Sequence, residues 1–269
     1  MMKQAAQIVC ACMQGCGEDE MIEILYALWL RQVRRQVRSR ARMISSLGQP
    51  LLFLLAVGFG FSTIFEKAGQ GNYLQFLTPG IIAMGILFTS MISGIEIIWD
   101  RQFGFLKEMM VAPVSRSVIM LGRTLGGATV AIIQGVFVFL ISLAFGFRPE
   151  SLFGLLPAFG FMFLIAFLFT AIGTAVASVM NDMQSFPLVM NFVIMPLFFL
   201  SGALFPLDSV PKVLLNVAII NPLSYGVDGL RFSLIHASHF NVGVDAIVLF
   251  IFAILSLFVG SHLFSKIQL

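Results

Sequence analysis

The chain has 269 residues, of which 59% are hydrophobic and 11% charged, with a formal net charge of +3; its mean hydropathy is +0.98. A soluble domain carries nearer ~25% charged residues, because its surface must face water. These side chains cannot coat a water-soluble globule, and no stretch between the apolar segments is long enough for a separate soluble domain. The fold class they require is an all-α integral membrane protein.

Residues 1–20 read as a disordered cytosolic tail, and residues 21–269 as a transmembrane domain. Cys10, Cys12 and Cys16 lie in the tail and no cysteine follows. Their spacing is a poor match to the usual metal or redox patterns. One lysine and no sustained apolar stretch make the tail unlike a secretory signal peptide.

Over 22–38, Ile22, Leu25, Tyr26, Trp29, Val33 and Val37 recur at helical spacing. Arg31, Arg34, Arg35 and Arg38 follow the same period on the opposite face. That division predicts an interfacial helix over 22–40, with its apolar side at the acyl boundary and its arginines toward anionic headgroups. An amphipathic helix packed on protein is the other reading of the same pattern.

Six apolar stretches follow, at about 43–65, 76–99, 117–147, 154–180, 187–205 and 244–264. Each exceeds the ~18 residues expected of a membrane-spanning helix. Thr78-Pro79 reads as an N-cap with proline in the first turn of the second span, and Pro196 predicts a kink in the fifth. With the N-terminus inside, the cytoplasmic side holds twelve of the 16 Lys and Arg residues and the outside holds Lys67, Arg148, Lys212 and Arg231. The positive-inside rule then places both termini in the cytoplasm. Between the fifth and sixth spans, 206–243 reads as two short helices, about 210–220 and 223–236, split by Asn221-Pro222. Both are too short to cross, which predicts a re-entrant or interfacial external segment. Asp228 and Arg231 share a helical face there, placed to pair or to bond carbonyls exposed at the break.

Enzyme signatures are missing: no Gly-x4-Gly-Lys-Ser/Thr, no His-Glu-x2-His and no Gly-x-Ser-x-Gly occurs. His236 and His239 have metal-like spacing, but with no cysteine nearby they read as a solvated pair and no metal site is expected. Glu96 and Arg123 fall near the cytoplasmic boundary of their spans, where an ion pair or a headgroup contact is the simplest role.

The loop 100–116 is longer than a connection needs, with charged ends around Phe103, Phe105, Leu106, Met109, Met110 and Val111. It reads as a short helix presenting apolar residues to a partner, ended by Pro113. The run Gly104-Phe-Leu-Lys-Glu-Met-Met-Val-Ala-Pro-Val-Ser-Arg116 resembles the Gly-x-Leu-x-x-Leu/Met-x-x-x-Pro-x-Ser-Arg pattern of ABC-2-type permeases. These are the membrane subunits of bacterial ABC exporters, including the daunorubicin-resistance branch. A second stretch, Leu200–Pro211 continuing to Asn221-Pro-Leu-Ser-Tyr-Gly-Val-Asp-Gly-Leu-Arg231, resembles the family's Ser-Gly-x-x-Phe-Pro and Asn-Pro-x-x-Tyr-x-x-Asp-x-x-Arg pattern. The Lys107-Glu108 pair departs from it, since many members carry the acid one position earlier.

The resemblance implies an interfacial helix, six spans, a coupling helix at Phe103–Arg116 that includes Lys107 and Glu108, and short external helices before the sixth span; from its length and its break, the segment with Asn221, Pro222, Tyr225, Asp228 and Arg231 is expected to form a lid over the outer mouth. The resemblance also implies a bacterial or archaeal plasma (inner) membrane, a second copy of the chain and two ATP-binding subunits. No cofactor is expected in this chain; ATP and Mg would be held by the partner ATPase, and lipids are the other contact, with no nucleic acid. The function implied is outward movement of an amphipathic drug-like or lipid-like molecule. Polysaccharide or lipo-oligosaccharide export by the same machinery is the alternative, followed by a secondary transporter or a membrane enzyme acting on lipid.

Overall fold

A computed structural model describes residues 18–67, 73–104, 116–207 and 211–265, and among them every regular element is a helix. In chain order these are α1 (Glu18–Arg38), α2 (Arg40–Lys67), α3 (Tyr73–Ser93), α4 (Ile95–Gln102), α5 (Arg116–Ala144), α6 (Leu155–Val179), α7 (Ser185–Phe199), α8 (Lys212–Ile220), α9 (Pro222–Ile235) and α10 (Val242–Ser265). Five segments are long and apolar enough to cross a bilayer: part of α2, α3 with α4, α5, α6 and α10. The pair α8 and α9, bent by 90° at Asn221, makes a sixth if it is taken as one broken span.

Two expectations about the spans need correction. The fifth helix is α7, only 15 residues long, or about 22 Å at the α-helical rise, short of the ~30 Å hydrocarbon core. It stops at Phe199 because the chain folds back through a turn in which Gly202 adopts φ +73°, a conformation a continuing helix cannot contain. The second correction is at α3, which begins at Tyr73, so Thr78 and Pro79 lie inside it. The Thr78 hydroxyl donates to the Leu74 carbonyl at 2.8 Å instead of capping the helix.

Close helix approaches depend on glycine. At the α3–α4 break, a Cβ on Gly94 would lie 2.3 Å from the Gly173 carbonyl oxygen of α6, and one on Gly173 would lie 2.5 Å from the Met91 carbonyl oxygen. Neither backbone can retreat, so this crossing admits only glycine, as small residues allow helices to approach in membranes. The same device seats α9 against α6. Gly226 faces Ile165 and Gly229 faces Phe161, each too close for a Cβ. Nearly all of α9 is buried, whereas α8 leaves Val213, Val217 and Ile220 exposed.

Cross-chain bonds order the two ends of the bundle. At one end Ser117 and Ser261 share a hydroxyl–hydroxyl bond of 2.8 Å, joining the start of α5 to the end of α10. At the other, the Glu150 amide donates to the Leu234 carbonyl at 3.0 Å, joining the α5–α6 turn to α9. The first end is charged, and its acidic and basic side chains form the site described next.

Candidate functional site

Helix α1 lies along α5 in a groove made by Gly122 and Gly126, where a Cβ would meet Leu28 and Gln32 respectively. The Trp29 indole N–H donates to the Thr129 hydroxyl at 2.9 Å and fixes the helix on that groove. This placement turns Arg31 and Arg35, one turn apart, toward α4, where Glu96 and Asp100 are also one turn apart. Two arginines at i and i+4 therefore meet two acids at i and i+4.

Asp100 is the centre of the arrangement. Arg31 Nη2 and Nη1 donate to its Oδ1 and Oδ2 at 2.9 and 3.2 Å, a two-pronged bond. The Arg123 guanidinium, rising from the second turn of α5, donates to Oδ2 from the other side. Arg35 lies 3.6 Å from Glu96 and 3.9 Å from Asp100. Asp100 and Arg123 are only 6% and 5% exposed, so each charge has lost most of its water and depends on its partners. The planar guanidinium fork suits such a site better than an ammonium.

The next residues bind a fourth element. Arg101 Nη2 donates to the Met180 carbonyl and Gln102 Nε2 to the Asn181 carbonyl at 3.3 Å, both in the turn between α6 and α7. The last turn of α4 thus holds α1, α5 and the α6–α7 turn together. Phe103 follows as an exposed residue whose ring lies 5.5 Å from that of Trp99, tilted by 38°, and Arg116 opens α5 at the surface. Phe105, Leu106, Lys107, Glu108, Met109, Met110 and Pro113 lie outside the described residues.

The expected arginine face of α1 is divided. Arg34 and Arg38 are exposed, as are Ile22, Tyr26 and Val37, but Arg31 and Arg35 bond protein carboxylates rather than facing headgroups. Glu96 and Arg123, expected to form an ion pair or a headgroup contact, both lie in the charged cluster, Arg35 being 3.6 Å from Glu96 and Arg123 pairing with Asp100. Sequence reasoning missed Asp100 by treating it as the polar end of a loop. The legible signal was the matched i, i+4 spacing of Arg31/Arg35 and Glu96/Asp100.

At the opposite end, Asn221 accepts from the Leu223 amide at 3.0 Å and donates to the Leu197 carbonyl at 2.6 Å, capping α9 while joining it to α7. Pro222 takes the first helical position, and the Tyr225 hydroxyl donates to the Ile219 carbonyl at 2.8 Å. Asp228 and Arg231 act in different directions. The Asp228 carboxylate accepts from the His239 and Phe240 amides at 2.8–3.0 Å. Arg231 donates to the Gly202 carbonyl at 3.1 Å and lies 3.9 Å over the Phe76 ring. The carbonyl it bonds belongs to the 200–207 turn and not to the α8–α9 break. Among the described residues no group of three or more His, Cys, Asp or Glu could hold a metal ion.

Known proteins match along nearly the whole of this architecture. The family model described as ABC-2 type transporter matches residues 23–235. A putative transport permease ycf38 of Cyanophora paradoxa is 31% identical, covering 93% of this chain and 89% of its own. The protein of the same name from Pyropia yezoensis is 32% identical over 79% and 74%. Nodulation protein J of Rhizobium leguminosarum bv. trifolii is 27% identical over 76% of this chain and 79% of its own.

Proposed function

We propose that this chain, which belongs to the ABC-2 type transporter family, is the transmembrane subunit of an ATP-driven exporter in a plasma (inner) membrane. The observation that carries the reading is the family match over 23–235, which encloses both the Gly104–Arg116 and Asn221–Arg231 motifs. Members of the family are transport permeases that work with ATP-binding subunits. This chain contains no Gly-x4-Gly-Lys-Ser/Thr loop, so ATP and Mg are assigned to that partner. The assembly proposed is two copies of the chain with two ATP-binding subunits, the charged end and both termini in the cytoplasm.

In this reading the partners close on ATP and displace the segment Phe103–Arg116, which begins directly after α4. Asp100 bonds Arg31 and Arg123, and Arg101 and Gln102 bond the α6–α7 turn. A displacement of the segment therefore reaches α1, α5 and α6–α7 at once, while α9 and its contacts to Gly202 and Leu197 cover the outer end. The cargo is an amphipathic molecule, drug-like or lipid-like. The test is coexpression with a candidate ATP-binding subunit and measurement of ATP-driven export in proteoliposomes. Leu106→Asp or Met109→Asp should abolish export and coupled ATP hydrolysis while the chain still inserts and self-associates. Normal export by both variants would overturn the coupling role of the segment.

A further inference from the structure

Two acids meet at the corner where α9 turns into α10. Asp228, 2% exposed, lies in the middle of α9, and Asp245, fully buried, lies in the first turn of α10. Between them the chain reverses after His236, which ends α9 at φ 51°. Asp228 gathers this turn by accepting from the His239 and Phe240 amides, and the Phe240 ring stacks on Tyr225 at 5.1 Å. Asp245 joins the same corner through its backbone amide, which donates to the Asn241 carbonyl at 3.0 Å. Its carboxyl is placed differently. Both oxygens are buried without a hydrogen-bond partner among the described residues, and the charged group they face is the Asp228 carboxyl.

The elements packed around the pair bring no cation to Asp245. Helix α6, which runs along α10, has no ionisable residue between Leu155 and Val179. The cations of α5, Arg116 and Arg123, and His262 of α10 itself all lie at the opposite end of the bundle. From α9, Tyr225 faces Asp245 and Arg231 acts on Asp228, but the bonds of Arg231 go to the Gly202 carbonyl and the Phe76 ring. Tyr73 of α3 lies on the Arg231 side. His236 and His239 are exposed on the turn. Among the described residues no other charged group acts on either acid. An ionised carboxyl can only accept hydrogen bonds, so two of them face to face repel, and burial removes the water that would screen them. One proton reverses the sign, because one carboxyl then donates to the other.

We propose that Asp228 and Asp245 hold one proton between them and so form a latch, which closes the α9–α10 corner in acidic medium and loosens as the medium becomes alkaline. The proton belongs to the pair and not to either residue. Its loss to water leaves two like charges in contact. Helix α9 cannot yield, because Gly226 and Gly229 seat it against α6 and Asn221 bonds the Leu197 carbonyl. The exposed turn 236–239 can. The His239 and Phe240 amides then part from Asp228, and water reaches both acids. We take from the exporter reading only that this end faces outward, where the acidity of the medium sets how firmly the corner is held.

The test measures hydrogen exchange of the His239 and Phe240 amides in the full chain in phosphatidylcholine nanodiscs, with the intrinsic pH dependence of exchange divided out. The pH runs from about 5 to about 9, above the ordinary carboxylate range and below that of tyrosine. Protection should fall roughly tenfold or more as the pH rises, the loss of one charge-assisted hydrogen bond. In Asp245→Asn the side-chain amide donates to Asp228 at every pH, so protection should stay high and flat. Flat protection in the native chain would overturn the latch. An equal fall in Asp245→Asn would also overturn it, by assigning the effect to His236 or His239. Infrared difference spectra of the native chain decide the matter even if the variant does not accumulate. A carboxylic acid band must disappear over the same pH interval as the protection, and its absence refutes the shared proton. The readout needs neither an ATP-binding subunit nor a known sidedness. Flat protection with intact ATP-driven export removes the latch alone, and a working latch without ATP-driven export removes the exporter reading alone.

Discussion

Arg31 and Asp100, 69 residues apart in the chain, are joined by two hydrogen bonds of 2.9 and 3.2 Å. The bond ties the N-terminal helix to the last turn of α4, directly before Phe103. Asp100 is shared with the buried Arg123, so the carboxylate cannot leave one arginine without altering the field at the other.

Asp100→Asn should be the most damaging single change at this end. It keeps the shape but removes the anion that compensates Arg123, and splitting a buried pair costs about 3–5 kcal/mol. The expected outcome is a lower melting temperature in detergent and loss of export even where the protein accumulates. Adding Arg123→Met should recover stability without recovering export. An Asp100→Asn protein of native stability would show that the arginines find other partners.

Gly126→Val should separate α1 from α5. A Cβ at this position would lie 2.6 Å from the Gln32 Cβ, and the branched side chain adds further volume. We expect protease cleavage within 18–38 to speed up at least several-fold, with the remaining helices resistant. The Trp29–Thr129 bond would be lost in the same variant, which fluorescence of Trp29 in a Trp99→Phe background reports. Unchanged cleavage would mean that α1 slides without detaching.

Arg231→Ala addresses the opposite end. It strands the buried Gly202 carbonyl and removes the cation from the Phe76 ring, a loss of about 1–3 kcal/mol. Export should fall more than accumulation or assembly with the ATP-binding subunit. Arg231→Lys should restore part of it, because an ammonium can reach the same carbonyl and ring. Normal export by Arg231→Ala would refute a functional role for the lid.

Orientation is checked by labelling. With the native cysteines replaced, a cysteine at the exposed Leu152, in the α5–α6 turn, should react with an impermeant thiol reagent in intact cells. One at the exposed Gln184, between α6 and α7, should react only after the cells are opened. Reversal of the two would invert the proposed topology.

The sequence by itself determined what depends on local composition and period. Apolar runs with few charges must be buried in lipid as helices, so the class and the approximate spans were legible residue by residue. Asn221-Pro222 announced the break between α8 and α9, because a capping side chain followed by proline starts a helix wherever it stands. The tertiary structure alone decided matters that depend on partners distant in the chain. Asp100 looks like any polar loop end until α1 settles on the glycine groove of α5 and presents Arg31 to it. Gly94 and Gly173 read as ordinary apolar-span residues until their backbones meet. The fifth span is shortened by Gly202, whose turn is held by Arg231 from another helix. The physical reason is common to all three. Periodicity reports which face of a helix avoids water, but in a membrane protein both lipid and neighbouring helices satisfy that demand. Only packing distinguishes them, through small residues that permit contact and buried charges that require one specific partner.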